Sequence, residues 1–158
     1  MKASKRIALC AALAAVALTI FVAESQIPPL VAIPGVKLGL ANIVTLVAMV
    51  LLGRRDALAI LAVRLVLGSV FAGGFSAFLF SVAGGVFAYI VMCVLVGVFP
   101  EKLLWVVSVF AALAHNAGQL FMAAAVLKSA MVFYYFPALA LFGIAMGVLT
   151  GVLLRSLM

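Results

Sequence analysis

Apolar residues run along the chain in six blocks, each broken by a short cluster of charged, proline or glycine residues. The blocks are Ile7–Ala23, Leu38–Leu52, Ala57–Phe71, Phe75–Phe99, Leu103–Leu127 and Tyr134–Leu154. Crossing a hydrocarbon core of about 30 Å takes roughly 20 helical residues at about 1.5 Å each. All six blocks reach or approach that length and predict helices. The second and third are short, so they span by borrowing flanking residues, by thinning the bilayer, or as a partly re-entrant pair. The breaks have the chemistry of connections. Pro28, Pro29 and Pro34-Gly35 cannot continue a helix, Gly53-Arg54-Arg55-Asp56 and Pro100-Glu101-Lys102 read as tight turns, and Ala72-Gly73-Gly74 is small and flexible. The last connection, Lys128 to Pro137, includes Tyr134-Tyr135-Phe136, and Trp105 sits just inside the fifth block as an interfacial anchor. The pattern predicts an all-α, polytopic integral membrane protein with residues 1–158 in one transmembrane domain.

Composition agrees. The chain is 70% hydrophobic and 8% charged, whereas a soluble domain is roughly half apolar and about a quarter charged. A water-soluble globule is excluded. Ten Lys and Arg face three acids, for a net charge of +7. In a soluble domain that balance would suggest nucleic acid. Here most of the basic residues lie between apolar blocks, which is a signature of membrane topology. With the N-terminus inside, the cytoplasmic side collects Lys2, Lys5, Arg6, Arg54, Arg55, Lys102 and Arg155, and the outside receives Lys37 and Lys128. Both termini are therefore expected inside. The basic start followed by Ile7–Ala23 could pass for a signal peptide, but Val22-Ala23-Glu24-Ser25 is a poor cleavage site, so the segment reads as a retained first helix. Cys10 and Cys93 lie within apolar blocks without metal-ligand spacing and read as packing residues.

Small residues recur at helical spacing. Gly143, Gly147 and Gly151 form a ladder on the last helix, and Ala77, Ser81 and Gly85 a looser one on the fourth. Such ladders let helix backbones approach closely in lipid, and for these two helices packing within the bundle is expected. Two alanine stripes, Ala8/Ala12 and Ala11/Ala15, mark the first helix. They suit either bundle packing or contact with another chain.

Against this background a few polar residues stand out. His115 and Gln119 are four apart and share a helix face, with Asn116 three before Gln119, near the middle of the fifth block. Interhelical hydrogen bonding explains one such residue; three in five positions point towards ligand binding or gating. Arg64 interrupts the third block, and a cationic side chain at bilayer centre costs roughly 2.5–3.5 kcal/mol on insertion scales. Glu24 falls at the outer boundary and Asp56 and Glu101 at the inner, so no acid is expected at the depth of Arg64. Its partner is then a carbonyl group or a bound anion, unless it snorkels. Asn42 is expected one turn into the second helix, where a helix start together with Lys37 suits an anionic or carbonyl-bearing ligand. Catalysis finds little support. There is no P-loop, the lone Asp56 cannot replace clustered aspartates that hold Mg²⁺, and the single His has no companions for a metal site. No cofactor is expected.

Four stretches together resemble a known bacterial family: Ile33-Pro34-Gly35-Val36-Lys37-Leu38-Gly39-Leu40-Ala41-Asn42-Ile43-Val44, Arg64-Leu65-Val66-Leu67-Gly68-Ser69, Phe80-Ser81-Val82-Ala83-Gly84-Gly85 and Ala114-His115-Asn116-Ala117-Gly118-Gln119. The chain resembles the Gx transporter family, also labelled heptaprenyl diphosphate synthase component I. The transporter label implies similarity to the substrate-binding S components of energy-coupling-factor (ECF) transporters, six-helix proteins of the bacterial cytoplasmic membrane that dock on a coupling subunit driven by ATPases. The resemblance implies that Lys37, Asn42, Arg64, Ser81, His115, Asn116 and Gln119 bind substrate and that the alanine face of the first helix docks. The synthase label implies a non-catalytic subunit for isoprenoid assembly. The expectation that follows is an S-component-like bundle binding a small, anionic or amide-rich molecule, with a synthase membrane subunit as the alternative.

Overall fold

The structure, a computed structural model, describes residues 3–27, 37–72 and 74–157. Six α-helices follow one another among the described residues: α1 Ala3–Ser25, α2 Asn42–Leu52, α3 Arg54–Ala72, α4 Gly74–Leu95, α5 Leu104–Leu127 and α6 Phe136–Leu157. Short 3₁₀ turns, Glu101–Leu103 and Ala130–Tyr135, lead into α5 and α6, and there is no strand among the described residues. Among the described residues, four stretches are long and apolar enough to cross a membrane: Ala3–Ser25, Gly74–Leu95, Glu101–Leu127 and Ala130–Leu153. α2 has 11 residues and at about 1.5 Å per residue covers roughly half of a bilayer core. α3 carries Arg54, Arg55, Asp56 and Arg64.

Three boundaries differ from the sequence pattern. The apolar block from Leu38 predicts a helix from that residue, yet α2 begins at Asn42. Gly39 takes a left-handed φ of 79°, which turns the chain and leaves the Gly39 and Leu40 N–H groups free to bond outside the helix. Asn42 is thus the first helical residue rather than one turn in. The expected turn Gly53-Arg54-Arg55-Asp56 shrinks to Gly53 alone, at φ 94°, and both arginines enter the first turn of α3. α4 ends at Leu95, four residues early, because its last turns tighten at Val96–Phe99 before Pro100. The Pro28–Val36 stretch, Lys2 and Gly73 lie outside the described residues.

α5 is the axis of the bundle, packed most extensively on α4 and α6, while α1 and α2 lie against α3. Close approach is set by residue size. A Cβ added at Gly147 would meet the Val109 backbone at 2.6 Å, one at Gly151 would run into the Trp105 backbone, and one at Gly143 would meet the Asn116 side-chain amide at 2.7 Å, all on α5. The glycine ladder of α6 is an internal seam. The small face of α4 is likewise buried at Ala77, Ser81, Gly84 and Gly85, where the Ala83–Gly84 backbone meets Gly118. α1 behaves differently. Ala17, Phe21 and Glu24 face inward, whereas Ala8, Ala11, Ala12 and Ala15 are exposed. At its opening turn Arg6 pairs with Asp56 of α3 at 2.6 Å.

The α5–α6 seam gives a direct stability test. Gly147→Val forces a branched side chain against helix backbone and is expected to cost about 1–3 kcal/mol, the range for overpacking, read as a lowered midpoint of thermal unfolding in detergent. Ala12→Val, on the exposed face of α1, is expected to leave that midpoint unchanged; equal losses would refute the seam.

Candidate functional site

The polar residues converge on an enclosed cavity lined by Phe21 and Glu24 of α1, Lys37 and Gly39 of the segment before α2, Arg64 of α3, Ser81 of α4 and His115 of α5. Five separate parts of the chain meet there, and the space between them accommodates about one water molecule. A second small cavity lies across Gly39, beside Asn42 and the hydroxyls of Ser108 and Thr150, which are 2.6 Å apart. A larger concavity, about 720 Å³, is an open apolar groove outside α1 and α3, lined by Leu18, Thr19, Val22, Ala23, Gln26 and Phe71. It lacks the convergent polar groups that fix a ligand's orientation.

Helical spacing explains how α1 contributes. Ala17, Phe21 and Glu24 recur at i, i+4 and i+7 and so share the buried face. Glu24 is 5% exposed. Its carboxylate accepts from the backbone N–H of Gly39 at 2.5 Å and of Leu40 at 3.1 Å, tying the end of α1 to the chain entering α2. Phe21 packs on α3 at Gly68, and its ring receives the Lys37 ammonium 3.6 Å from the centroid, a cation–π contact. Burial pushes the Lys37 pKa below the usual lysine range; the Glu24 carboxylate opposes that shift and the positive charge of Arg64 adds to it.

Arg64 is 2% exposed and donates through Nη1 and Nη2 to the Asn42 side-chain oxygen, both at 3.4 Å. These are long contacts for a charged donor. The His115 ring is held between two backbones, since a Cβ at Gly84 would meet its Cε1 and Nδ1 at 2.7 Å and one at Gly39 its Cδ2 at 2.6 Å. Gln119, one turn on, accepts the Lys37 N–H at 3.3 Å. Among the described residues, several buried polar atoms have no hydrogen-bond partner: Lys37 Nζ, Asn42 Nδ2, Arg64 Nε, Ser81 Oγ and Gln119 Nε2. Each can donate, and buried donors left unmade carry a desolvation cost of about 1–3 kcal/mol.

Of the seven residues singled out in the sequence, Lys37, Arg64, Ser81 and His115 line the cavity, and Asn42 and Gln119 bond to its members. Asn116 does not join them. It lies a helical step of about 100° from His115, and its amide donates to the Leu139 carbonyl of α6 at 2.7 Å, beside Gly143. Its contacts belong to the α5–α6 seam. Glu24 corrects the expectation that no acid shares the depth of Arg64: both line the same cavity. The signal was present, because Glu24 ends the Ala17–Phe21–Glu24 stripe. Its distance from Arg64 in sequence concealed the link. Among the described residues no group of His, Cys, Asp and Glu could hold a metal.

An apolar helical bundle with buried, unpaired donors around a small cavity defines a helical membrane protein with an internal polar centre. The chain belongs to the family described as heptaprenyl diphosphate synthase component I, which it matches over residues 13–157. No match was found among curated proteins or among solved structures.

The clamp on His115 predicts a coupling. Gly84→Ala and His115→Ala each destabilise alone, and the double variant is expected to be less destabilised than their sum by about 0.5–3 kcal/mol, the range for residues in contact. Thermal unfolding of the four proteins measures it; strict additivity would show that the ring does not rest on Gly84.

Proposed function

We propose that the protein is an S-component-like membrane protein that binds a small anionic or amide-rich molecule for uptake across the bacterial cytoplasmic membrane. The observation that carries this reading is the buried cavity in which Lys37 Nζ, Arg64 Nε and Ser81 Oγ have no acceptor. Buried polar groups in lipid-embedded protein are expensive unless paired, and they mark substrate pathways when they persist. In this reading all six helices cross or enter the membrane, both termini face the cytoplasm, and the Lys37–Ala41 segment faces outward. Arg64 and Lys37 supply charge, and His115, Gln119 and Asn42 supply hydrogen bonds. The exposed Ala8/Ala12 and Ala11/Ala15 face of α1 is the docking surface for an ECF coupling subunit with its ATPases. Opening the cavity then requires the Gly39 segment to move, because the space is nearly filled.

The family description favours a second reading, a non-catalytic membrane subunit of a heptaprenyl diphosphate synthase. That reading requires a soluble prenyltransferase partner and a change in product chain length on deletion.

Native mass spectrometry with metabolite extraction of the purified protein separates the two. A stoichiometric water-soluble molecule is expected, with retention lowered roughly ten- to hundredfold in Arg64→Ala and in His115→Ala/Gln119→Ala, as the loss of hydrogen bonds involving charged or buried groups implies. Variants that bind and import as the unaltered protein does would overturn the site. A stable prenyltransferase partner without a ligand would establish the second reading.

A further inference from the structure

We infer that Glu24 sets the charge of the molecule the cavity accepts, making it a seat for a monovalent anion such as a small monocarboxylate; the inference rests on the binding role proposed above. Glu24, Lys37 and Arg64 are the acid and the two strong bases lining the cavity. With the His115 imidazole counted as neutral, its ordinary form above about pH 6.5, two cations against one carboxylate leave one positive charge uncompensated. The remaining acids do not help. Asp56 is engaged with Arg6, and Glu101 is exposed before α5.

Glu24 neutralises charge without occupying the free donors. Its two oxygens accept from the Gly39 and Leu40 N–H groups, so Lys37 Nζ, Arg64 Nε and Ser81 Oγ remain available. A ligand carboxylate carries one negative charge and two acceptor oxygens, and it closes both deficits together. A neutral amide offers acceptors but leaves the buried charge, which is costly in an apolar surround. A dianion reverses the imbalance, since its second charge meets Glu24 without a further cation. Phosphate esters, which carry about −1.5 to −2 at neutral pH, and diphosphates are disfavoured for the same reason.

The test uses the full chain reconstituted in lipid nanodiscs and three probes of similar length: butyramide, butyrate and succinate. Binding is titrated by calorimetry at matched ionic strength. The unaltered protein is expected to bind butyrate about tenfold or more tighter than either other probe, because one unit charge at close range in a low-dielectric site exceeds that factor. Glu24→Gln, which raises the cavity's charge by one, is expected to shift preference towards succinate. Lys37→Met, which removes the excess charge, is expected to shift it towards butyramide and gives an independent reading if Glu24→Gln does not fold. Preference of the unaltered protein for succinate or butyramide would overturn the monoanion assignment and leave a binding role standing. Binding of none of the three would overturn both. Unchanged preference in the folded variants would remove charge selection from these residues.

Discussion

The carboxylate of Glu24, held by the N–H groups of Gly39 and Leu40, is the tie around which the polar centre is arranged. It fixes the end of α1 to the chain that opens α2 and delays the start of that helix until Asn42. Asn42 is thereby placed to receive the Arg64 guanidinium, and Gly39 is placed against the His115 ring. Removing the tie would change three things together: the register of α2, the support of Arg64 and the wall of the cavity. A charged group buried this deeply in an apolar bundle is tolerated because its oxygens find backbone donors.

Packing and polarity use the same helices for opposite ends. The α5–α6 seam is close because glycines on α6 meet backbone on α5, and Asn116 secures it through the Leu139 carbonyl. One step around α5, His115 and Gln119 face the cavity side. α5 therefore serves as both the structural axis and a wall of the polar centre, so changes at its glycine contacts are transmitted to the site through rigid packing. On α1 the division is by face: one stripe closes the cavity and the alanine stripes are left uncovered.

The cavity is small because its walls pack on one another through side chains that are not fully hydrogen-bonded. That combination distinguishes it from an ordinary buried network, in which nearly every donor is paired. The aromatic ring of Phe21 under Lys37 and the long Arg64–Asn42 contacts place cations beside groups that stabilise them less than a carboxylate would. Under the binding role proposed above, these cations and free donors are what an anion would meet.

Hydropathy alone determined the six helices and the membrane class, since long apolar blocks separated by Pro, Gly and charge admit few other arrangements. It also picked out Arg64 and His115, because polar residues inside such blocks are costly wherever they point; Lys37 was marked by the helix start it precedes, and Ser81 by the family resemblance alone. Tertiary structure decided which of them meet. It sent Asn116 into a helix seam, a choice that depends on a single helical step and on where α6 lies. It brought Glu24 beside Arg64 from a helix 40 residues away in sequence, and it broke the predicted start of α2 to satisfy that carboxylate. Local pattern reports the cost of a polar residue; only the packed bundle supplies the partner that meets it.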